Sequence, residues 1–394
     1  MKIISNMVFA GPCSAESREQ VMETARGVAE ALPAPAAYVP AQASGTNVPA
    51  TAPAAGAAGA GTVATAAPAA ATITNAPAQT TTQGPAQAIR GFRAGVWKPR
   101  TSPGSYEGEG DQALEWVAEA GRTYGLLTAV EVATPAHVEA SLKAGIDCLW
   151  IGARTSADPF AAQQLADALK GCPNTILLKN PITPDINLWC GALDRLINAG
   201  LKDIILIHRG FYTYQDSFYR NNPIWSIPME MRRRRPGFKM LCDPSHIAGR
   251  SALVEDLIEK AAALDFDGLF VEAHCRPEEA RSDAAQQITP ARLGEILQRA
   301  NRREPVAATA EMALFRDEID KIDSSIIDLL ARRMEISRSI GTIKKAGQMQ
   351  VFSSGRYDKM LEACRTEAER AGLDPGFAEE IFRLIHEKSV EEQL

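Results

Sequence analysis

The chain has 394 residues, 45% hydrophobic and 23% charged, with 42 Lys and Arg against 48 Asp and Glu for a formal charge of −6. That length suits two or three domains, and that composition supports a full-sized core. The acidic balance speaks against a bulk nucleic-acid binder. With no apolar run of roughly eighteen residues, no membrane span is expected. The opening MKIISNMVFAGPCSAE turns acidic before any signal-peptide pattern completes, so a cytoplasmic protein is expected. Seven cysteines, at 13, 148, 172, 190, 242, 275 and 364, are scattered with no CxxC pair. Such a set fits reduced thiols or one metal ligand better than a disulfide framework.

Short β-branched runs alternate with helix-period stretches. The expected strands are Met7–Ala10, Ile89–Arg93, Leu126–Val132, Asp147–Gly152, Thr175–Lys179, Asp203–His208, Lys239–Asp243 and Gly268–Glu272. Between them, Gly110–Tyr124, Pro135–Ala144, Ala161–Leu169, Trp189–Ala199 and Ser251–Leu264 carry helical periodicity, several with Ser, Thr or Asp ahead or Gly behind. Eight such units predict an α/β fold, a (β/α)8 TIM barrel over residues 1–300 with its functional groups at the C-terminal strand ends. Ala31–Ile89 stands apart, without a charge and with 45 of 59 positions Ala, Thr, Pro or Gly. It is expected to be a disordered low-complexity insertion on the αβ side of the barrel, away from the chemistry. Arg232–Arg235 reads as a solvated loop. A polar linker, 301–310, precedes an all-α three-helix region over 311–394. There a long first helix carries Leu314, Ile319, Ile322, Ile326, Leu329 and Leu330 on one side, and Ser354–Ala371 and Pro375–Glu392 follow. Burying so long a helix calls for a second copy, hence a homodimer or higher oligomer.

Each expected strand ends in polar chemistry. Arg93, Lys98, Arg100, Arg154, Lys179 and Arg209 outnumber the acids beside them. The bland account, mutual ion pairing, therefore leaves positive charge that anionic ligands would balance. Cys13, His246, Glu272 and Asp283 combine one soft, one imidazole and two carboxylate donors. That mixture suits Mn, Fe, Co or Zn better than Mg or Ca. No GxxxxGK or GxGxxG motif accompanies them.

The ordered motifs GPCSAES, FRAGVWKPRTSP, IGAR, LLK, HRG, DPSH and VEAHCRPEEARSD resemble the type I beta group of 3-deoxy-D-arabino-heptulosonate 7-phosphate (DAHP) synthases, over Val8 to about Ile296 apart from the insertion. The resemblance implies a divalent metal on Cys13, His246, Glu272 and Asp283. It implies phosphoenolpyruvate contacts at Arg93, Lys98, Arg154, Lys179 and Arg209, with Gly152 and Ala153 beside them. It places erythrose 4-phosphate at Arg100 and Thr101, and proton transfer at Lys98 and His274. KPRT rather than KANR separates the chain from the related 3-deoxy-octulosonate 8-phosphate synthases.

In the tail, LFRDEIDKID, LLARRMEIS, IGTIKK and LIHEKSVEEQ resemble the all-helical chorismate mutases over Glu311–Leu394. That resemblance implies chorismate contacts at Arg316, Arg333, Lys344, Arg356, Ser389 and Gln393, with Lys344 and Gln393 stabilising the ether oxygen. It also implies a dimer in which the first arginine crosses to the other chain. Ser353 and Tyr357 stand where the family commonly has Asp and Glu. The whole chain is thus expected to be a bifunctional shikimate-pathway enzyme. The alternative is a synthase whose tail mainly senses chorismate or prephenate.

Overall fold

A computed structural model describes residues 6–32, 88–98, 104–214, 218–301 and 310–394. The chain divides into two compact units, Met1–Glu304 and Pro305–Leu394. In the first, eight strands form a closed parallel barrel in chain order: β1 (Met7–Gly11), β2 (Ile89–Arg93), β3 (Leu127–Val132), β4 (Cys148–Ile151), β5 (Thr175–Lys179), β6 (Ile204–His208), β7 (Lys239–Cys242) and β8 (Gly268–Glu272). Runs such as MVFAG, TILLK, IILIH and GLFVE are almost wholly apolar. Strands enclosed between a lumen and a helical shell bury both faces, so alternation is lost.

Alternate side chains divide into two cores. Met7, Phe9, Ala129, Cys148, Trp150, Leu177, Ile205, Ile207, Leu241 and Phe270 fill the lumen. The intervening positions, among them Val8, Val130, Leu149, Leu178 and Leu206, pack outward with the helices. Those helices are α1 (Arg18–Ala31), α2 (Asp111–Tyr124), α3 (Pro135–Lys143), α4 (Ala153–Ser156), α5 (Pro159–Ala168), α6 (Ile186–Asn198), α7 (Ser226–Arg234), α8 (Pro244–Ala248), α9 (Val254–Ala263) and α10 (Pro290–Asn301). Ser17, Thr134, Asp158 and Asp185 cap their helices through side-chain acceptors, as such residues do. Closing the barrel leaves every β–α loop at one rim.

Several boundaries shift. Ala31 ends α1 and Ile89 opens β2, so both belong to the barrel rather than to the alanine-rich segment; residues 33–87 lie outside the described ones. Asn301 and Ala310 are likewise helical, closing α10 and opening α11. Arg232–Arg235 is not a loop. Its first three residues form the last turn of α7, and all four side chains hold acids: Arg232 meets Asp267, Arg233 and Arg234 meet Glu230, and Arg235 meets Asp194. Basic residues in a last turn also complement the helix dipole.

The second unit contains α11 (Ala310–Ala346, 37 residues), α12 (Ser354–Arg370) and α13 (Pro375–Glu391, capped by Asp374). Helix α12 packs on α13, and α11 meets α13 more sparsely. Among the described residues no helix is long and apolar enough to cross a membrane.

The lumen tolerates no added volume at Gly91, where a Cβ would collide with the ring of the buried Phe9. Gly91→Ala is therefore expected to destabilise the barrel by about 1–3 kcal/mol, read as a lower thermal midpoint. An unchanged midpoint would show that the Phe9 ring can move.

Candidate active site

At the C-terminal rim lies a pocket of about 510 Å³ lined by Lys98, Glu131, Gly152, Ala153, Arg154, Lys179, Arg209, Arg220, Asn221, His246 and Asp283, among others. Its floor is the top of the lumen core. The Arg93 guanidinium lies 4.7 Å from the Trp150 ring centre and 4.9 Å from that of Phe270, and the Lys179 ammonium lies 4.9 Å from Phe270. These cations rest on aromatic faces that draw positive charge. Gly152 is required at the end of β4, because a Cβ there would strike the Glu131 carboxylate.

Contrary to the bland-account arithmetic, two of these cations are neutralised inside the protein. Arg93 donates from Nη1 to Glu272 Oε1 at 2.8 Å, and Lys179 donates to Asp243 Oδ2 at 2.9 Å. All four groups are buried. Asp243 also accepts from its own helix, at His246 N, and contacts His246 Nδ1 at 2.8 Å. Burial would raise the Asp243 and Glu272 carboxyls, yet His246 with Lys179 on one and His246 with Arg93 on the other hold both well below the usual range. Around Arg209 the balance runs the other way. Burial foremost, with Arg220 and Arg154 adding repulsion, lowers its guanidinium to about 10. A bound anion there would offset the cost of burying the Arg209 charge.

Cys13, Glu272 and Asp283 converge, their donor atoms all within 4.8 Å of one another. Sγ of Cys13 is 3.4 Å from Asp283 Oδ2 and accepts from Lys98 Nζ at 2.9 Å. Burial, reinforced by the Glu272 charge, pushes the Cys13 thiol up to about 12. Asp283 takes a left-handed backbone, φ 47°, a conformation Asp tolerates better than most residues. The His246 ring stands just outside this trio, with Nε2 3.6 Å from Glu272 Oε1. The donors are mixed sulfur, nitrogen and oxygen, spaced close to what one ion bridges, so they fit a divalent transition metal.

Other expected residues fall differently. Arg100 and Thr101 lie outside the described residues. His274 is buried but does not line the pocket. Its Nδ1 accepts from Arg276 N at 2.9 Å, and no hydrogen-bond partner for Nε2 is present among the described residues. Arg220 and Asn221 were not legible in sequence, since they sit in an irregular loop after β6. Asn221 orients the site by accepting from Arg209 Nη1 at 2.7 Å and donating to His246 O at 2.6 Å. Asp243 was visible only as part of DPSH, and Glu131 only as a strand-end acid.

In the helical unit, Arg333 donates to Ser389 Oγ and to Ile385 O at 3.3 Å, and Lys344 donates to Gln393 Oε1 at 3.1 Å. The structure also brings in His386, whose ring is 4.7 Å from that of Tyr357. Burial, then the charges of Arg333, Lys344 and Arg356, depress its basicity. Four of the expected residues thus share one end of this unit with Arg356 near them. Arg316 lies seventeen residues before Arg333 on α11, roughly 25 Å at the helical rise, and is exposed.

Residues 71–305, more than half of the chain, match the DAHP synthetase I family. The chain belongs to that family. Residues 315–394 match chorismate mutase type II, so DAHP synthase and chorismate mutase domains are fused in one enzyme. The chain is 27% identical over 291 residues to Phospho-2-dehydro-3-deoxyheptonate aldolase of Thermotoga maritima, spanning 74% of this chain and 68% of that protein. The crystal structure of the Thermotoga maritima aldolase, titled a DAHP synthase, superposes with a TM-score of 0.55 at 25% identity, over 75% of this chain and 68% of that one. The tail is 34% identical over 80 residues to the T-protein of Enterobacter agglomerans and 34% over 75 residues to that of Haemophilus influenzae. Those two alignments cover 21% and 20% of the T-proteins' own lengths.

One histidine at this rim sets an acid limit on the fold. His208, at the end of β6, packs among the rings of Phe211, Trp225 and Phe266, and burial lowers its imidazole to about 3. The unfolded chain takes up that proton below about pH 6.5. Between the two values the unfolded state binds up to one more proton, so stability drops as pH is lowered, by at most about 1.4 kcal/mol per unit. His208→Phe is expected to flatten the decline of the unfolding midpoint between pH 6 and 4; an unaltered slope would refute the assignment.

Proposed function

We propose that the barrel condenses phosphoenolpyruvate with erythrose 4-phosphate to DAHP and phosphate, and that the helical unit rearranges chorismate to prephenate. The observation that carries the first reading is the juxtaposition of Lys98, Arg154, Lys179 and Arg209, lining one pocket, with the Cys13–Glu272–Asp283 donor trio. Two phosphorylated anions cannot be held together without fixed positive charge, and preorganised cations cost no reorganisation during reaction. Arg93, Lys98, Arg154, Lys179 and Arg209, with the Gly152–Ala153 backbone, hold the carboxylate and phosphate of phosphoenolpyruvate. Arg100 and Thr101 receive the sugar phosphate. C3 of phosphoenolpyruvate forms the new bond to the aldehyde carbon, water adds at C2, and phosphate departs by C–O cleavage. A bound divalent metal, Mn, Fe, Co or Zn, supplies Lewis-acid polarisation of the aldehyde, with Cys13, Glu272 and Asp283 holding it and His246 beside them. Lys98, within hydrogen-bonding reach of Cys13 and lining the pocket, holds a proton for transfer. His274 keeps a proposed part in proton transfer only through movement or an intervening water, since it lies off the pocket wall.

For the helical unit, Arg333 and Arg356 grip the two carboxylates, and Lys344 and Gln393 stabilise the ether oxygen as its bond breaks, without a covalent step. Ser389 holds Arg333 in place. Arg316 is too distant along α11 to serve its own chain's site, so a second copy delivers it. The exposed side chains of Ile319, Ile322 and Ile326 on α11 offer the apolar contact for that homodimer. Free cysteines throughout agree with a cytoplasmic setting.

Phosphate release from phosphoenolpyruvate with erythrose 4-phosphate is expected to be abolished by EDTA and restored by Mn, and arabinose 5-phosphate is expected to be inert. Preference for the five-carbon sugar would reassign the barrel. In the full chain, Lys344→Ala is expected to lower chorismate turnover by at least about 100-fold, the loss typical of a removed oxyanion donor, with phosphate release unchanged. Tight chorismate binding by the unaltered chain without turnover would instead make the tail a sensor of chorismate or prephenate.

A further inference from the structure

Two consecutive buried glutamines, Gln286 and Gln287, stand behind the donor trio and have no part in the reading above. Gln286 donates from Nε2 to Glu272 Oε2 at 2.5 Å and accepts at Oε1 from Arg220 Nη1 at 2.6 Å. The same Arg220 nitrogen reaches Asp283 Oδ1 at 3.1 Å. Gln287 accepts at Oε1 from the backbone N–H of Cys13 at 2.9 Å and donates from Nε2 to the carbonyl of Ser282 at 3.0 Å, one residue before Asp283. Both side chains are nearly sealed from solvent, at 1% and 2% exposure, so each amide must spend its hydrogen bonds here.

The polarity of these contacts is specific. Gln286 turns its N–H toward an anion and its carbonyl toward a cation, which an amide can do and neither a carboxylate nor an apolar side chain can. Glutamate would set one carboxylate against another. An apolar side chain would strip Glu272 Oε2 and Arg220 of a partner together. Gln287 ties the segment just after β1, which carries Cys13, to the loop after β8, which carries Asp283. Three donors from separate segments are thereby fixed by one dipeptide. His246, the fourth candidate, is held independently by Asp243.

We propose that Gln286 and Gln287 are positioning residues that preorganise Cys13, Glu272 and Asp283 for a divalent metal ion. The proposal rests on the metal-site reading of that trio. Outer partners of metal ligands commonly govern affinity by about 10- to 100-fold.

The test is Mn(II) binding by the full-length, metal-stripped protein, measured by titration calorimetry, together with the visible spectrum of the Co(II) form, which reports thiolate coordination. The variants are Gln286→Met, Gln287→Met, Gln286→Asn and, as a reference, Cys13→Ala, each checked for its thermal midpoint without metal. Both methionine variants are expected to bind Mn(II) about 10- to 100-fold more weakly. The Gln287→Met variant is also expected to lose intensity in the sulfur-to-Co(II) band, because it frees Cys13. Gln286→Asn keeps an amide and is expected to recover part of the affinity. Wild-type Mn(II) affinity in both methionine variants, with loss in Cys13→Ala, would overturn the positioning role and leave the metal site standing. Equal Mn(II) binding by the unaltered chain and Cys13→Ala would overturn the site itself. Should a methionine variant lack a folding transition, the Gln286→Ala or Gln287→Ala variant at that position takes its place, and wild-type affinity there would overturn that residue's role.

Discussion

The barrel depends on paired charge held above an aromatic floor. Arg93 with Glu272, and Lys179 with Asp243, lie at the top of a lumen whose last apolar layer is Trp150 and Phe270. Neither pair could survive the loss of one partner cheaply, because an uncompensated buried charge costs several kcal/mol. The ends of β2, β5 and β8 and the residue that follows β7 are therefore tied across the top of the lumen by electrostatics as well as by the barrel's hydrogen bonds. The same low-dielectric setting strengthens any interaction with a bound anion. Rigidity of the rim and strength of binding thus have one source.

The helical unit answers to a different constraint. Helix α11 spans 37 residues, while α12 and α13 are much shorter and cover only part of it. Isoleucines and leucines along α11 remain in solvent within a single copy. On the proposed reading, stability and site completion make the same demand there, since the exposed Ile319, Ile322 and Ile326 lie on the same helix as Arg316.

Much of the barrel was legible in the chain because both faces of each strand are buried, which writes each strand as a short uninterrupted apolar run between turn residues. Boundaries moved by one residue at starts such as Leu126, Asp147 and Asp203, where only the next residue enters the ladder. The short helices α4, α7 and α8 were not readable, since a single turn has no periodicity and α7 is dominated by arginines. The charged rim was legible as an inventory and not as a circuit. Which cation meets which acid, and that Arg220 and Asn221 enter from an irregular loop, are settled by tertiary geometry alone. His274 illustrates the limit: it follows β8 in the sequence just as Glu272 ends it, yet the strand's exit turns the imidazole away from the pocket.

The contrast between the two units has a bearing on how the protein responds to its own abundance. Every barrel residue proposed to hold phosphoenolpyruvate sits within one closed sheet and its rim loops, so on that reading a solitary chain supplies them all. If the helical pocket takes Arg316 from another chain, as proposed, it fills only as often as two chains meet. At high dilution the first chemistry would persist per molecule while the second fades, and the ratio of the two would act as a gauge of how much of the protein is present.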